Sequence, residues 1–540
     1  MVQLQARYNL TPITVMTAPS NLTFLRKISE DQWLWILATT AVLTNYLLCV
    51  ALFPLTDLDE GAYAGVTREM FVRGDWLSTY LNGEPWFEKP ILMYWMQSIG
   101  VWLFGVNEWG FRLPSAVASA LWFFIIYRFV AAEVNRHVGL IAALVTMTAL
   151  GTTFIYKAAI PDPFLSLLIT ATVFDLYRHW KQPRPILVYR AFIWMGLGVL
   201  AKGPVAIVIP SLIAGAFYLI HNKFWLLFRA ALNPIGWILI LLIVVPWHWY
   251  QYYLFGDQFI DDYFFKHNVG RFTSSLDGHA GNLFFYLFSL FLLSFPFWKP
   301  LVFALKNMFS KFRSRELTPL QWLLIIWFLV VLGFFTLAST KLPHYLMYGM
   351  VPIFILIAMH LEEHGLGVWN FLITGVSFSA IILSLPFLLE WLAPQQKEFY
   401  RLALAEASAA ADVSFFLTLA LSAAMLGLVA LYIKKSTLRS LLLGLIVSLQ
   451  TSWILMPTVL NLQQLPLKQA ALIAAKEDIH PVMWGMNMPS FSVYAQRITP
   501  REKPKPGMWV ITYTHRLEEL GNTEQAYEKG GISLAKVLPK

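Results

Sequence analysis

The chain has 540 residues, of which 58% are hydrophobic and 13% charged, and its formal net charge is +9. Soluble domains carry about 25% charged residues, so the composition excludes an ordinary soluble globular protein and points to an integral membrane protein. In such a chain the Lys and Arg excess reads as cytoplasmic loop charge, which sets nucleic-acid binding aside.

Residues 1–30 are mixed polar and lack an apolar core with a small-residue cleavage site. No cleavable signal peptide is expected, and the first span should act as an uncleaved anchor. Apolar runs long enough to cross a bilayer fall near 33–55, 112–132, 137–156, 162–178, 187–202, 204–221, 233–254, 282–305, 319–338, 344–361, 367–391, 412–433 and 438–460. That is about thirteen spans at roughly twenty residues each. Lys202-Gly203-Pro204 divides 187–221 into two short spans joined by a tight turn. Cys49, the single cysteine, lies inside the first run, so neither a disulfide framework, a zinc site nor thiol chemistry follows from it.

Loop charges orient the chain. With residue 1 in the cytoplasm, the cytoplasmic segments hold most of the base, including Arg178, Lys181, Arg184 and Arg190, then Lys299, Lys306, Lys311, Arg313 and Arg315. The alternate loops are poorer in base, as the positive-inside rule requires. The outer side then receives Asp57, Asp59, Glu60, Glu88 and Lys89 from the first loop, and Lys157 and Asp162 from the second. Lys202 follows, then Lys266, His267 and Arg271, then Lys341, His344 and Tyr345. Five loops thus bring acids and bases to one membrane face.

The first outer loop, 56–111, is too long for a simple connection. Glu60–Val72 reads as an amphipathic helix, and 91–104 as an apolar helix shorter than a span, both at the interface. A further outer loop, 393–412, has a helix-like stretch. After about residue 460 the composition shifts, with a helix over 467–476 and strands near 481–485, 508–514 and 532–538. The expected organisation is a membrane domain, 1–460, and a small α/β domain, 461–540, outside. No phosphate-binding glycine loop is present, which argues against an ATP-driven pump.

Acids at the lip of a span are costly and need a reason. Asp57 alone reads as a helix cap. Asp59 reads as a base or orienting group for an attacking oxygen, because caps do not explain the charges gathered around it. Glu88-Lys89-Pro90 reads as a phosphate grip with an adjacent acid, against simple snorkelling of the lysine. Asp162, between two prolines, is held in a stiff turn, as cap or as second acid. Lys266–Phe272 and Ser339–Tyr345 are basic and aromatic segments that suit a phosphate headgroup or plain interfacial anchoring. A transporter would instead place its charges near the midplane of inverted repeats, and no repeat is evident.

Asp59-Glu60-Gly61-Ala62-Tyr63-Ala64, Asn82-Gly83-Glu84, Glu88-Lys89-Pro90, Tyr94-Trp95 and Phe111–Ser115 resemble the bacterial branch of the protein mannosyltransferase superfamily, the GT-C fold. That branch is typified by the transferases that add aminoarabinose to lipid A. Lys202-Gly203-Pro204, His267–Phe272, Ser339–Tyr345 and Pro489–Tyr494 match as well. The resemblance implies about thirteen spans, two juxtamembrane helices and a periplasmic α/β domain in a bacterial inner membrane. It implies an inverting glycosyltransferase that uses a polyprenyl-phosphate sugar donor, with lipid A or its core as acceptor; a protein hydroxyl is the alternative acceptor. By the same resemblance Asp59 is the principal catalytic acid and Asp162 the second. Glu88 assists and helps hold a divalent cation. Lys89 and Arg271 grip the donor phosphate, while Tyr63 and Tyr345 line the site. From their placement on the same face, Lys202 and Lys341 are expected to bind the donor phosphate too, and Trp86, His267 and His344 to line the site. Trp86 stands where some aminoarabinose transferases carry a tyrosine, which leaves sugar and acceptor open. A monomer in contact with membrane lipids, without nucleic acid, is expected.

Overall fold

The computed structural model describes residues 29–270, 284–396 and 398–539. Ser29 opens helix α1 (Glu30–Val42) with a capping box. Its hydroxyl accepts from the Gln32 amide at 3.3 Å, and the Gln32 side chain accepts from the Ser29 amide at 2.7 Å. A π-helical turn, Leu43–Leu47, follows, and the chain leaves the helical path before α2 (Asp59–Arg73). The short hairpin β1 (Tyr80–Leu81) and β2 (Glu84–Pro85) leads to α3 (Leu92–Phe104). The two helices expected in the first outer loop are therefore present. The polar face of α2 is not open to water: Thr67, Arg68 and Glu69 are buried along with Val66 and Met70. The C-terminal domain covers that side, packing Phe491 and Tyr494 into the same apolar cluster as Ala64.

Asn107 caps α4 (Glu108–Glu133), its side chain accepting from the Gly110 amide at 3.1 Å. The hairpin of α3 on α4 closes on glycine: a Cβ at Gly100 would stand 2.1 Å from the Gly110 carbonyl oxygen. Small residues at such crossings let two helix backbones touch. Next come α5 (Arg136–Thr148), α6 (Leu150–Ile155), α7 (Asp162–Lys181), α8 (Pro185–Lys202), α9 (Val205–Ile220), α10 (Phe224–Ala231) and α11 (Pro234–Phe255). Gly203, at φ +115°, makes the tight turn from α8 to α9. A π-helical stretch, Ile260–Val269, follows α11.

The run 282–305 is not one span. It forms α12 (Phe285–Ser294) and α13 (Trp298–Arg313), bent by 117°. Pro296 supplies the break, since it lacks an amide proton and pushes Phe295 into an extended conformation, ψ 140°. Helix α14 (Pro319–Leu337) precedes a 3₁₀ turn, Pro343–Gly349, that runs into α15 (Met350–Glu363). The rest of the bundle is α16 (Val368–Leu392), α17 (Glu398–Leu404), α18 (Val413–Tyr432), α19 (Ser436–Gln450) and α20 (Met456–Lys476). Among the described residues eight helical segments are each long and apolar enough to cross a bilayer, and the bent α12–α13 pair would make nine. Helix α5 is shorter but buried from Val138 to Thr148, at the centre of the largest apolar cluster.

Helices α19 and α20 join through a π turn into a 41-residue rod, Ser436–Lys476, so the composition shift near residue 460 falls inside a helix. The far half of α20 buries Leu467, Ala470, Ala471 and Ala474 against the C-terminal sheet. That sheet comprises β3 (Pro481–Met483), β4 (Trp509–Tyr513), β5 (Thr523–Lys529) and β6 (Ile532–Val537), in the order β3-β4-β6-β5. The β3–β4 pair is parallel and the others antiparallel. β5 is a fourth strand beyond the three expected; its charged, half-exposed sequence Thr-Glu-Gln-Ala-Tyr-Glu-Lys marks an edge, where charge keeps other chains from pairing. The crossover between β3 and β4 carries a short helix, α21 (Ser490–Tyr494).

Candidate active site

The site is built around a buried strut. Arg112 of α4 and Glu60 of α2 are 0% and 1% exposed. They meet in a two-armed salt bridge, Nε to Oε1 at 2.7 Å and Nη2 to Oε2 at 2.6 Å. Arg112 also donates to the carbonyls of Val50, Phe53 and Pro54. Glu60 accepts from the amides of Thr56 at 3.0 Å and Ala159 at 2.7 Å. Burial works against the Glu60 charge, but Arg112 outweighs it and holds the carboxyl below the usual glutamate range. The strut ties the end of the first span, the start of α2 and the loop before Asp162 into one unit. A buried pair of this kind is stable only when its other hydrogen bonds are satisfied, as they are here.

Asp59 is the first residue of α2, one step from the strut, and is exposed. Although the residue is exposed, its carboxyl lies among charged neighbours. Loss of surrounding water raises its pKa above the ordinary aspartate value, the charges of Asp162 and Glu88 add to the rise, and Lys202 and Lys89 oppose it. Residues from four segments, those of Asp59, Glu88 and Lys89, Asp162, and Lys202, are therefore electrostatic neighbours. Asp162, at the start of α7, accepts from Lys202 Nζ at 2.8 and 2.9 Å and from the Tyr348 hydroxyl at 2.6 Å. Lys202 also donates to Tyr348 at 2.8 Å, and His344 Nε2 stands 3.9 Å from Asp162. Asp162 is not a helix cap, since Pro161 holds that position. Lys89 is buried and pairs with Glu88 at 3.0 Å. Tyr63 packs against Tyr94 with ring centroids 6.1 Å apart, and Trp86 packs on the same apolar cluster.

Beside these charges lies a cavity of about 340 Å³ with a mixed lining. Glu88, Lys89, Lys202 and His267 supply charged or polar groups, and Val205, Val208, Phe264, Phe334 and Phe335 apolar ones; Tyr345 and Tyr348 also line it. An apolar groove of about 330 Å³ shares Pro204 and Phe264 with it and runs along α11 past Val245, Trp249 and Tyr252.

Other residues behave differently from expectation. Asp57 is no cap either: Leu58 precedes α2, while Asp57 accepts from the Ser490 amide at 3.1 Å and from the Ser490 hydroxyl. Burial pushes its carboxyl up to about 7, against those two hydrogen bonds. Lys157 turns away from the recess, donating to Ser452 at 2.5 Å and lying 3.6 Å from Cys49. Lys266 is exposed and pairs with Asp262. Lys341 donates to the Ala338 carbonyl at 3.0 Å and does not line the cavity. Arg271 lies outside the described residues. Tyr348 went unread in the sequence, although a 3₁₀ turn places residues three apart on one side and so aligns it with Tyr345. For a divalent cation, Glu88 and His267 line one cavity, but among the described residues no group of three His, Cys, Asp or Glu is arranged to hold a metal. The donor set for a cation is thus incomplete among the described residues.

The family model described as dolichyl-phosphate-mannose-protein mannosyltransferase matches residues 88–250, which include Lys89, Asp162 and Lys202. The undecaprenyl phosphate-alpha-4-amino-4-deoxy-L-arabinose arabinosyl transferase 1 of Sodalis glossinidius is 31% identical over 339 residues, 61% of this chain and 59% of that protein. The corresponding transferase of Yersinia pestis is 29% identical over 345 residues, 62% and 60% of the two chains. The chain thus spans about three-fifths of the length of these curated relatives. The crystal structure of ArnT from Cupriavidus metallidurans bound to undecaprenyl phosphate superposes with a TM-score of 0.72 over 94% of this chain and 98% of that one, at 18% identity. This chain has the ArnT fold. The apo ArnT structure agrees, with a TM-score of 0.69 over 93% and 97% of the two chains. Fold likeness therefore extends across the chain, well beyond the stretch where sequence likeness is detected. The resemblance read from the first-loop motifs and the helical GT-C architecture with its small C-terminal sheet domain both hold.

Proposed function

We propose that the chain is an inverting glycosyltransferase that moves a sugar from a polyprenyl-phosphate donor to an envelope acceptor, with lipid A or its core the favoured acceptor. One observation carries the reading: a cavity lined by two lysines and several apolar side chains lies beside an apolar groove that shares Pro204 and Phe264 with it, a setting that suits a phosphate head on a long apolar tail. The lysines neutralise the phosphate as negative charge develops on the leaving group. Lys89 and Lys202 take this part, with Arg271 and Lys341 as further candidates from the sequence. Asp59 orients or deprotonates the acceptor hydroxyl for attack at the anomeric carbon. Asp162 is the second acid, held by Lys202 and Tyr348. Glu88 sets the charge state of its neighbours, and Tyr63, Trp86, His267, His344 and Tyr345 shape the recess. The donor arrives already activated, so no nucleotide takes part. The distribution of loop cations supports a recess and a C-terminal domain that face the periplasm from the inner membrane. The relatives named for aminoarabinose transfer favour that sugar over mannose.

The test is reconstitution of purified protein with undecaprenyl-phosphate aminoarabinose and lipid A, read by mass spectrometry of the lipid. Addition of one sugar, lost in Asp59→Asn, is the expected result. Transfer to protein instead would change the acceptor and keep the donor. Movement of lipid across the bilayer without glycosidic bond formation would overturn the reading in favour of a flippase.

A further inference from the structure

Helix α13 lines neither the cavity nor the groove of the recess, and its surface is divided into three sectors. Pro300, Leu301, Ala304 and Met308 are buried against the bundle. Trp298, Phe309 and Phe312 lie on a second sector and are 42%, 67% and 52% exposed. Lys299, Lys306 and Arg313 recur every seven residues and so share a third sector, at intervals of ~10.5 Å along the axis. Between Trp298 and Arg315 there are five Lys or Arg and no Asp or Glu. Lys299 and Lys306 both reach the ring of Phe303, at 6.0 and 5.7 Å.

The position of α13 is set by its neighbours. Phe303 stacks on His360, near the end of α15. The opposite end of α15 grows out of the 3₁₀ turn that bears Tyr345 and Tyr348. Along α15, His360 lies ten residues, ~15 Å, from Met350 at the recess end, and this separates the α13 contact from the recess. The 117° bend turns α13 sharply off the axis of α12, which itself leaves Phe288 71% exposed.

We propose that α13 is a binding site for anionic phospholipids, on the leaflet opposite the recess. The exposed aromatics reach acyl depth while the neighbouring stripe of cations meets phosphate headgroups, the arrangement that holds amphipathic helices in a charged interface. A soluble acidic partner would satisfy the cations but leave the aromatic sector in water, so charge and apolar area together select a lipid surface.

The experiment measures lipid and not sugar transfer, so its outcome is independent of the glycosyltransferase reading. Full-length protein is purified from membranes containing phosphatidylglycerol and phosphatidylethanolamine, and retained lipids are quantified by mass spectrometry. Wild type should retain phosphatidylglycerol above its bulk fraction. The Lys299→Gln/Lys306→Gln/Arg313→Gln variant should bind it at least ~tenfold more weakly, given several-fold per basic residue. Lys299→Arg/Lys306→Arg should match wild type. Undiminished enrichment in the Gln variant overturns the proposal. Should that variant fail to fold, wild type in nanodiscs decides: amide exchange over 298–313 should slow as phosphatidylglycerol replaces phosphatidylcholine, and identical exchange in both overturns it.

Discussion

Asp59 is the residue on which the proposed chemistry turns, and its surroundings make its ionisation testable. Asp59→Asn should lower transfer by about 10²–10⁴-fold, the range for loss of a general base, with an unchanged melting temperature. Glu88 and Asp162 raise the Asp59 pKa while Lys89 and Lys202 lower it, after desolvation. Activity that needs ionised Asp59 should fall as pH drops through a value above the ordinary aspartate range. Glu88→Gln should move that acid limb to lower pH and Lys89→Ala should move it to higher pH, as read from pH–rate profiles at saturating donor. Asp57 gives a stability effect of a different sign from a salt-bridged acid. Its folded pKa, about 7, exceeds its ordinary value of 3.8, so the folded state binds the extra proton between these limits. Its contribution is therefore greatest at low pH and is lost as pH rises from about 4 to about 7. Asp57→Asn, measured by thermal unfolding across that window, should flatten this part of the profile.

Among the elements, the Arg112–Glu60 strut sets the geometry of the recess without joining it. Arg112→Ala leaves Glu60 charged and buried, at a cost of about 3–5 kcal/mol, and frees three carbonyls at the end of the first span. The expected outcome is a lower unfolding temperature together with loss of activity, unlike the activity-only effect at Asp59. Arg112→Lys should not rescue it, because an ammonium lacks the planar fork that spans both carboxylate oxygens. The sequence showed Phe111-Arg112-Leu113-Pro114-Ser115 as a motif but not its partner. The two residues are far apart along the chain, and nothing in local periodicity links them. The same limit hid Tyr348 and the turn of Lys157 toward Ser452. The apolar run by itself predicts one span over 282–305, and the break at Pro296 shows only in the folded chain.

At the scale of the whole molecule, the C-terminal domain reaches back to the first outer loop. The Tyr494 hydroxyl accepts from the Leu55 amide at 2.7 Å and donates to Glu108 at 2.8 Å, and Ser492 donates to Asn82 at 3.0 Å. Tyr494→Phe should cost about 1–3 kcal/mol through the amide and carboxylate left unsatisfied in the buried interface. Faster proteolysis within the C-terminal domain would register this loosening. Gly61 lies in the same seam, where a Cβ would stand 1.9 Å from Asp57 Oδ1 and 2.9 Å from the Ser490 amide, so Gly61→Ala should displace the domain contact and reduce activity. The sequence by itself determined the membrane class, most helix positions, the two juxtamembrane helices and the ends of apolar runs where Asp59, Glu88, Lys89, Asp162 and Lys202 sit. These follow from local hydrophobic period and from the cost of placing charge in lipid, which act on neighbours along the chain. Only the tertiary structure decided which charges pair, that Asp57 serves the C-terminal domain, and that two lysines share a cavity with apolar side chains. Most of those outcomes depend on contacts between residues 40 to 433 positions apart, where packing and desolvation choose among partners that the sequence leaves equivalent.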